Sequence, residues 1–236
     1  MIKLSNRLNA MEESATIAMS RKSRELKAEG KDIISLSLGE PDFHTPEFIK
    51  DAAAQAMKDN FTTYTPVPGY DDLREAIARK FKRDNNLDYA PNEIVVSTGA
   101  KQSIANVVMS LINNGDEVII PAPYWVSYIE IVKVSEGIPV IVKAGIENDF
   151  KITGKQLEEA ITPKTKMLIF SSPCNPTGSV YNKEELAEIA DVLKRHPQIV
   201  AISDEIYEHI NFGSKHESLA QFNEVKDQVV TINGVS

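Results

Sequence analysis

The spacing of apolar residues changes period repeatedly along the chain, and each change predicts a switch between helix and strand. Residues up to about 30 carry apolar and polar groups at helical spacing, and Gly30 supplies the usual helix stop. A short apolar strand is expected at 33–36, and Pro41 ends it. A helix follows from Thr45 to about Lys58, with Pro46 suited to its first position. Segment 61–70, with Pro66, Pro68 and Gly69, is rigid and irregular. Asp71 then opens an amphipathic helix with Leu73, Ile77 and Phe81 on one face.

From residue 94 the alternation becomes regular. A strand at 94–97, a tight turn at 98–100 and a helix at 101–111 carrying Ile104, Val107, Val108 and Leu111 come first. Strands are expected at 117–121, 139–143 and 166–170, with a helix at 154–161 before the last of these. Residues 171–207 then turn through Asn175, Pro176, Thr177 and Gly178 and run along one helix bearing Leu186, Ile189 and Leu193. They return as a strand stopping on Asp204. Asn182 and Glu185 form a capping box for that helix. A last strand is expected at 229–232. Strands alternating with helices argue for a three-layer α/β/α fold with a mostly parallel central sheet. In such sheets ligands bind outside the carboxyl ends of the strands.

Composition narrows the class. Apolar residues make up 42% of the 236 and charged ones 25%, ordinary for a globular chain. A formal charge of −8 argues against nucleic acid as a partner, because phosphate backbones demand a surplus of Lys and Arg. No apolar run reaches the length of a membrane span, and the N-terminus lacks the apolar core of a secretory signal. A single cysteine, Cys174, leaves no internal disulfide. A cytoplasmic location is expected.

The candidate chemistry lies where expected strands end. Asn175, Asp204 and Tyr207 offer an amide, a carboxylate and a phenol that could converge on one flat, polar, nitrogen-containing ring. Gly99, Ala100 and Lys101 open a helix, where free backbone N–H groups meet anions such as phosphate. A first-turn lysine sits badly with the helix's positive end, which favours an anionic partner over a merely solvated Lys101. Trp125, the only tryptophan, follows a strand end, where its ring could stack on a flat ligand or simply pack. Asp204 alone would serve equally as a loop or cap acid, and Tyr64 as a surface aromatic on its own loop.

The motifs SPCNPTG and SDEIY, with LGEPDF at 38–43 and PYW at 123–125, resemble the fold-type I, pyridoxal-phosphate-dependent class I aminotransferases, close to the aspartate aminotransferase branch. The resemblance implies a large cofactor-binding domain at 45–236, incomplete at its C-terminus. Residues 1–44 would form an N-terminal arm and part of a small domain. It implies pyridoxal 5′-phosphate as cofactor. Asp204 would sit at the pyridine nitrogen, Tyr207 and Asn175 at the ring oxygen, Trp125 on the ring face, and Gly99, Ala100 and Lys101 at the phosphate. Tyr64 would reach the phosphate from the partner subunit of a homodimer. Gly39 would meet the substrate carboxylate, with Trp125, Asn175 and Lys101 also touching substrate, Lys101 at a distal carboxylate. Gly234, Val235 and Ser236 fill three places of the family's small–apolar–small–Lys signature, so the Schiff-base lysine is expected immediately after Ser236. The chain thus resembles the N-terminal part of a typical member. No metal is expected.

The implied reaction exchanges amino and keto groups between L-aspartate and 2-oxoglutarate by a ping-pong route. Transamination of aromatic donors or prephenate, and lyase chemistry on the same fold, are the neighbouring enzyme alternatives. A non-enzymatic sensor would need a basic helix-turn-helix ahead of the domain, and an inactive fragment is the remaining reading.

Overall fold

The computed structural model describes every residue except Met1, Ser37, residues 40–42, Ser214 and Ser236. The expected turn at 40–42 and the third place of the 234–236 signature therefore lie outside the described residues. The chain divides into two compact units, one of Glu13–Tyr70 and one of the remaining residues on either side of it. In chain order the helices are α1 (Asn6–Asn9), α2 (Ala15–Ala28), α3 (Glu47–Lys58), α4 (Asp71–Lys80) and α5 (Ala100–Leu111). Strand β1 (Glu117–Ala122), α6 (Ser127–Val134), β2 (Ile138–Lys143), α7 (Gly154–Ala160) and β3 (Thr165–Ser171) follow. Then come α8 (Lys183–Arg195), β4 (Val200–Asp204) and β5 (Val229–Ile232).

All strand pairs are parallel, and the sheet order is β2-β1-β3-β4-β5. The chain leaves β1 toward β2 and then returns past β1 to build β3, β4 and β5. The topology therefore reverses between β1 and β3. Right-handed crossovers in opposite directions put their helices on opposite faces. The core divides accordingly. Met167, Ile169 and Ile202 pack with Ile104, Val108, Tyr128 and Val132 of α5 and α6. Leu168, Phe170 and Ala201 pack with Leu157, Leu186, Ile189 and Leu193 of α7 and α8. Neighbouring residues of one strand feed different cores, as side-chain alternation requires. A parallel strand covered on both faces is apolar throughout, which is why β3 and β4 are buried almost end to end while edge strand β2 is not.

The three-layer α/β/α architecture is as expected, with five differences in detail. Residues 33–36 and 94–97 form no strand: neither run has a ladder partner among the described residues. An apolar run alone does not make a strand. Ile94 itself is extended and buried and Val95 is exposed, but the alternation does not continue through residues 96 and 97, both of intermediate burial. Pro46 is the cap before α3 instead of its first residue, its ψ of 142° placing it outside the helix. Phe81 belongs to a π-helical turn at Phe81–Asn85 that extends α4 and ends at Asn86, whose φ is 53°. Helix α6 was absent from the expected elements, although Tyr128, Ile131 and Val132 carry its i, i+3, i+4 signature.

Helix α8 shows how local chemistry sets an element. The Asn182 side chain accepts from the Glu185 N–H at 2.9 Å, and Glu185 accepts from the Asn182 N–H at 2.8 Å, closing the predicted capping box. Glu184 and Glu185 sit in its first turn and Lys194 and Arg195 in its last, each matching the helix dipole.

Candidate active site

The register places Ser171 of β3 beside Asp204 of β4, and Asp204 beside Ile232 of β5, so the carboxyl ends of these strands form one rim. Along β4 the side chains alternate: Ile202 enters the α5/α6 core, and Asp204, two residues on, emerges on that same face. There it meets α6. The Tyr128 hydroxyl donates to Asp204 Oδ2 at 2.6 Å, and the Ile206 N–H reaches Oδ1 at 3.3 Å. Asp204 is only 3% exposed, and among the described residues it forms no ion pair. Burial pushes its carboxyl above the ordinary value, and the bonds from Tyr128 and Ile206 offset only part of that. Burial, followed by the Asp204 charge, pushes the Tyr128 phenol well above its own ordinary value. A buried carboxylate in this state lacks a cation.

Across the rim, Tyr207 lies three residues past Asp204, and Asn175 sits in the turn after β3. Asn175 Nδ2 donates to the Tyr207 hydroxyl oxygen at 3.2 Å. That turn is closed by a Gly178 N–H bond to the Cys174 carbonyl at 2.8 Å, with Gly178 at φ 74°. Cys174 faces elsewhere, its Sγ 3.6 Å from the Pro123 carbonyl oxygen.

The third wall is the start of α5. Gly99 caps the helix at φ 86° and ψ 158°, a conformation essentially reserved for glycine. The Gln102 and Ser103 N–H groups bond the Gly99 carbonyl at 3.1 and 3.3 Å, and the N–H groups of Ala100 and Lys101 are the ones the helix start leaves open. The Lys101 ammonium lies 4.9 Å from the centroid of the Trp125 ring, a cation–π contact. Trp125 in turn meets Tyr128 edge to face at 5.5 Å, and the Tyr128 N–H bonds the Trp125 carbonyl at 3.0 Å.

Together these groups line one cavity of about 270 Å³, bounded by Gly99, Ala100, Lys101, Trp125, Tyr128, Ser171, Asn175, Asp204, Ile206 and Tyr207. Seven of the ten are residues singled out in the sequence. Gly39 and Tyr64 belong to the unit of Glu13–Tyr70 and are not among the walls; nothing lies within 4 Å of where a Gly39 Cβ would stand, and the Tyr64 ring is fully exposed. Three walls were not anticipated: Tyr128, Ser171 and Ile206. The helical spacing of Tyr128 with Ile131 and Val132 was the available signal for the most consequential of them.

The donor set has a definite polarity. Free N–H groups and Lys101 offer an anion site at one wall, an aromatic face lies beside it, and a buried acceptor without a cation waits at another. A flat ring with a phosphate at one end and a protonatable nitrogen at the other fits all three, and pyridoxal 5′-phosphate has that form. Among the described residues no cluster of His, Cys, Asp and Glu could hold a metal ion, and no helix is long and apolar enough to cross a membrane.

Residues 31–236 match the family model "Aminotransferase class I and II". The "Probable aspartate/prephenate aminotransferase" of Rickettsia bellii is 55% identical over 235 residues, covering 99% of this chain and 59% of the relative. The "Aspartate aminotransferase" of Bacillus sp. strain YM-2 is 50% identical over 99% of this chain and 60% of its own length. Among solved structures, the aspartate aminotransferase from Rhizobium meliloti superimposes with a TM-score of 0.96 at 40% identity, covering 100% of this chain and 60% of that one. The Thermus thermophilus aspartate aminotransferase with maleate gives 0.95 at 42% identity, covering 100% and 61%. The chain thus spans about three fifths of the length of these relatives.

Proposed function

This chain belongs to the class I and II aminotransferases, a pyridoxal-phosphate-dependent family, and on that footing we propose that its protein transfers the amino group of L-aspartate to 2-oxoglutarate. The proposed products are oxaloacetate and L-glutamate, formed by a ping-pong route in which one cavity serves both half-reactions. The observation that carries this reading is Asp204, a buried carboxylate lacking a cation, aimed into the same cavity as the Asn175–Tyr207 pair and the start of α5.

Bound pyridoxal 5′-phosphate supplies an electron sink for bond changes at an amino acid's Cα. The residues would divide the work of holding it. Asp204 would accept a hydrogen bond from the protonated ring nitrogen and keep it charged, itself steadied by Tyr128. Tyr207 and Asn175 would hydrogen-bond the ring oxygen, Trp125 would cover one ring face, and Gly99, Ala100 and Lys101 would hold the phosphate. Water is kept from Asp204 by its position under α6. Residues 45–236 are proposed as the cofactor-binding domain. Tyr64 is proposed to reach the phosphate of a partner subunit in a cytoplasmic homodimer.

Lys101 carries the substrate assignment. A cation at the mouth of the cavity suits an amino acid with a second carboxylate, and maleate, present with the Thermus thermophilus relative, is such a four-carbon diacid. The names of the Rickettsia relatives add prephenate, itself a dicarboxylate, as a second amino acceptor. The deciding assay measures oxaloacetate formed by the full-length protein from L-aspartate and 2-oxoglutarate, with prephenate and phenylpyruvate as competing acceptors. Parallel initial-rate lines with aspartate support the proposal. Turnover of aromatic donors with none of aspartate would overturn it.

A further inference from the structure

The turn that carries both Asp204 and Tyr207 is gripped from outside the cavity by two buried glutamates, and the reading above gives neither a task. Glu205 is 0% exposed. Since β4 alternates, it points to the opposite face of the sheet from Asp204, alongside Ser203. Its Oε1 accepts from the Ser203 hydroxyl at 2.9 Å and the Ser218 hydroxyl at 2.6 Å, and its Oε2 lies 2.9 Å from His216 Nε2. Its backbone N–H donates to the Ile232 carbonyl at 2.8 Å, tying the turn to the end of β5. His216 is nearly as buried, and its Nδ1 has no partner among the described residues.

Glu208 holds the other end. It is 7% exposed, accepts from Asn85 Nδ2 at 2.6 Å, and pairs with Lys80, both from the α4 and π-helical segment more than 120 residues away. His209 Nε2 approaches it at 3.2 Å. The Glu208 N–H bonds the Glu205 carbonyl at 3.0 Å, so the two glutamates close one short turn with Ile206 and Tyr207 at its crest.

Buried carboxylates are poor investments in stability, since apolar residues of similar size often do as well. Two of them flanking Ile206 and Tyr207, each bonded by side chains brought from other elements, fix a position instead. We propose that Glu205 and Glu208 are positioning residues that set the Tyr207 phenol against Asn175 and the Asp204 carboxylate against Tyr128. The proposal rests on the cofactor reading above, since it is the ring oxygen that the placed phenol would serve. Other titratable groups around the turn are Lys80, His209 and His216 on its outer side, Tyr89 near β5, and Tyr128 and Lys101 in the cavity.

A phenol donating to the ring oxygen favours that oxygen's anionic form and lowers the pH at which the bound cofactor's visible absorbance changes. The test therefore compares that pH midpoint in the full-length, cofactor-loaded protein for wild type, Glu205→Gln, Ser218→Ala, Tyr207→Phe and the Glu205→Gln/Tyr207→Phe double variant. Far-ultraviolet circular dichroism checks the fold of each, and Ser218→Ala carries the comparison if Glu205→Gln fails to fold. Tyr207→Phe should raise the midpoint, and Glu205→Gln should raise it by about one pH unit, the scale of one displaced charge-assisted hydrogen bond. In the double variant the Glu205 effect should vanish, because coupled residues are not additive. A midpoint unmoved by Glu205→Gln and Ser218→Ala, or an undiminished Glu205 effect without the phenol, would overturn the positioning role. A wild type with no visible cofactor band would overturn the cofactor reading itself, a failure visible before any variant is compared.

Discussion

Asp204 is a carboxylate held in an unfavourable place until something positive joins it. Its folded value is raised above the ordinary 3.8, chiefly by burial. For an acid, a raised folded value means that the native state binds protons more readily than the unfolded chain. Stability therefore falls as pH rises from the unfolded value through the folded one, and the penalty persists at neutral pH. Asp204→Asn keeps an acceptor for Tyr128 and removes the charge. The cofactor-free variant should melt higher than wild type at pH 7 and no higher at pH 3, read by thermal unfolding at the two pH values. The same variant should lose amino transfer by at least about a hundredfold, because no carboxylate remains to keep the ring nitrogen protonated. Near-normal turnover would remove Asp204 from the mechanism.

Lys101 gives the second residue-scale prediction. Its ammonium is spread over Trp125 and opens on the cavity. Lys101→Ala should raise KM for aspartate about tenfold or more while affecting a neutral amino acid far less, the difference reflecting one lost charge-assisted bond. Steady-state kinetics with both donors decide it, and equal losses would assign Lys101 to the phosphate alone. Residue identity was legible in the sequence for seven cavity walls because the motifs hold them at fixed spacing around strand ends. Tyr128 was not, because its role depends on a helix placing it over a residue 76 positions later.

At the scale of elements, the start of α5 depends on Gly99. A Cβ there would meet nothing within 4 Å, so steric crowding is no obstacle. The obstacle is conformational: φ 86° with ψ 158° costs other residues about 1–3 kcal/mol. Gly99→Ala should lower unfolding stability by that amount in urea titrations, or rotate the first-turn N–H groups and weaken cofactor affinity instead. Wild-type values for both would show that α5 has no need of glycine. The elements themselves followed from the sequence wherever pattern and local chemistry agreed, as at α8 with its capping box. Residues 33–36 and 94–97 failed as strands for a different reason. Strand formation is settled by a neighbour's hydrogen bonds, and an apolar run carries no information about whether that neighbour exists.

Across the whole molecule, the Lys80–Glu208 pair links the end of α4 to the Tyr207 turn. Burial raises the Glu208 carboxyl, but Asn85 and Lys80 outweigh it and hold the group below its ordinary 4.5. A lowered folded value stabilises the protein above the unfolded value and is lost as pH falls through the folded one. Glu208→Gln should flatten the acid limb of the stability curve below about pH 4.5, leaving its shape above pH 6 unchanged. An acid limb as steep as wild type would show that other carboxylates govern acid unfolding.

The sequence by itself determined the α/β/α class and most helix and strand limits, because these depend on periodicity and capping, while the cofactor type followed from the resemblance its short motifs carry. The tertiary structure decided what distance in the chain conceals. The topology reverses between β1 and β3, so that Trp125, Ser171 and Asp204 share one rim. Tyr128 comes to steady Asp204, and Lys80, Asn85, His216 and Ser218 come to grip the glutamates on either side of Tyr207. Local patterns record what each segment can become. Which buried carboxylate meets which donor is settled only when the sheet closes, since each such group needs its partner before burial is tolerable.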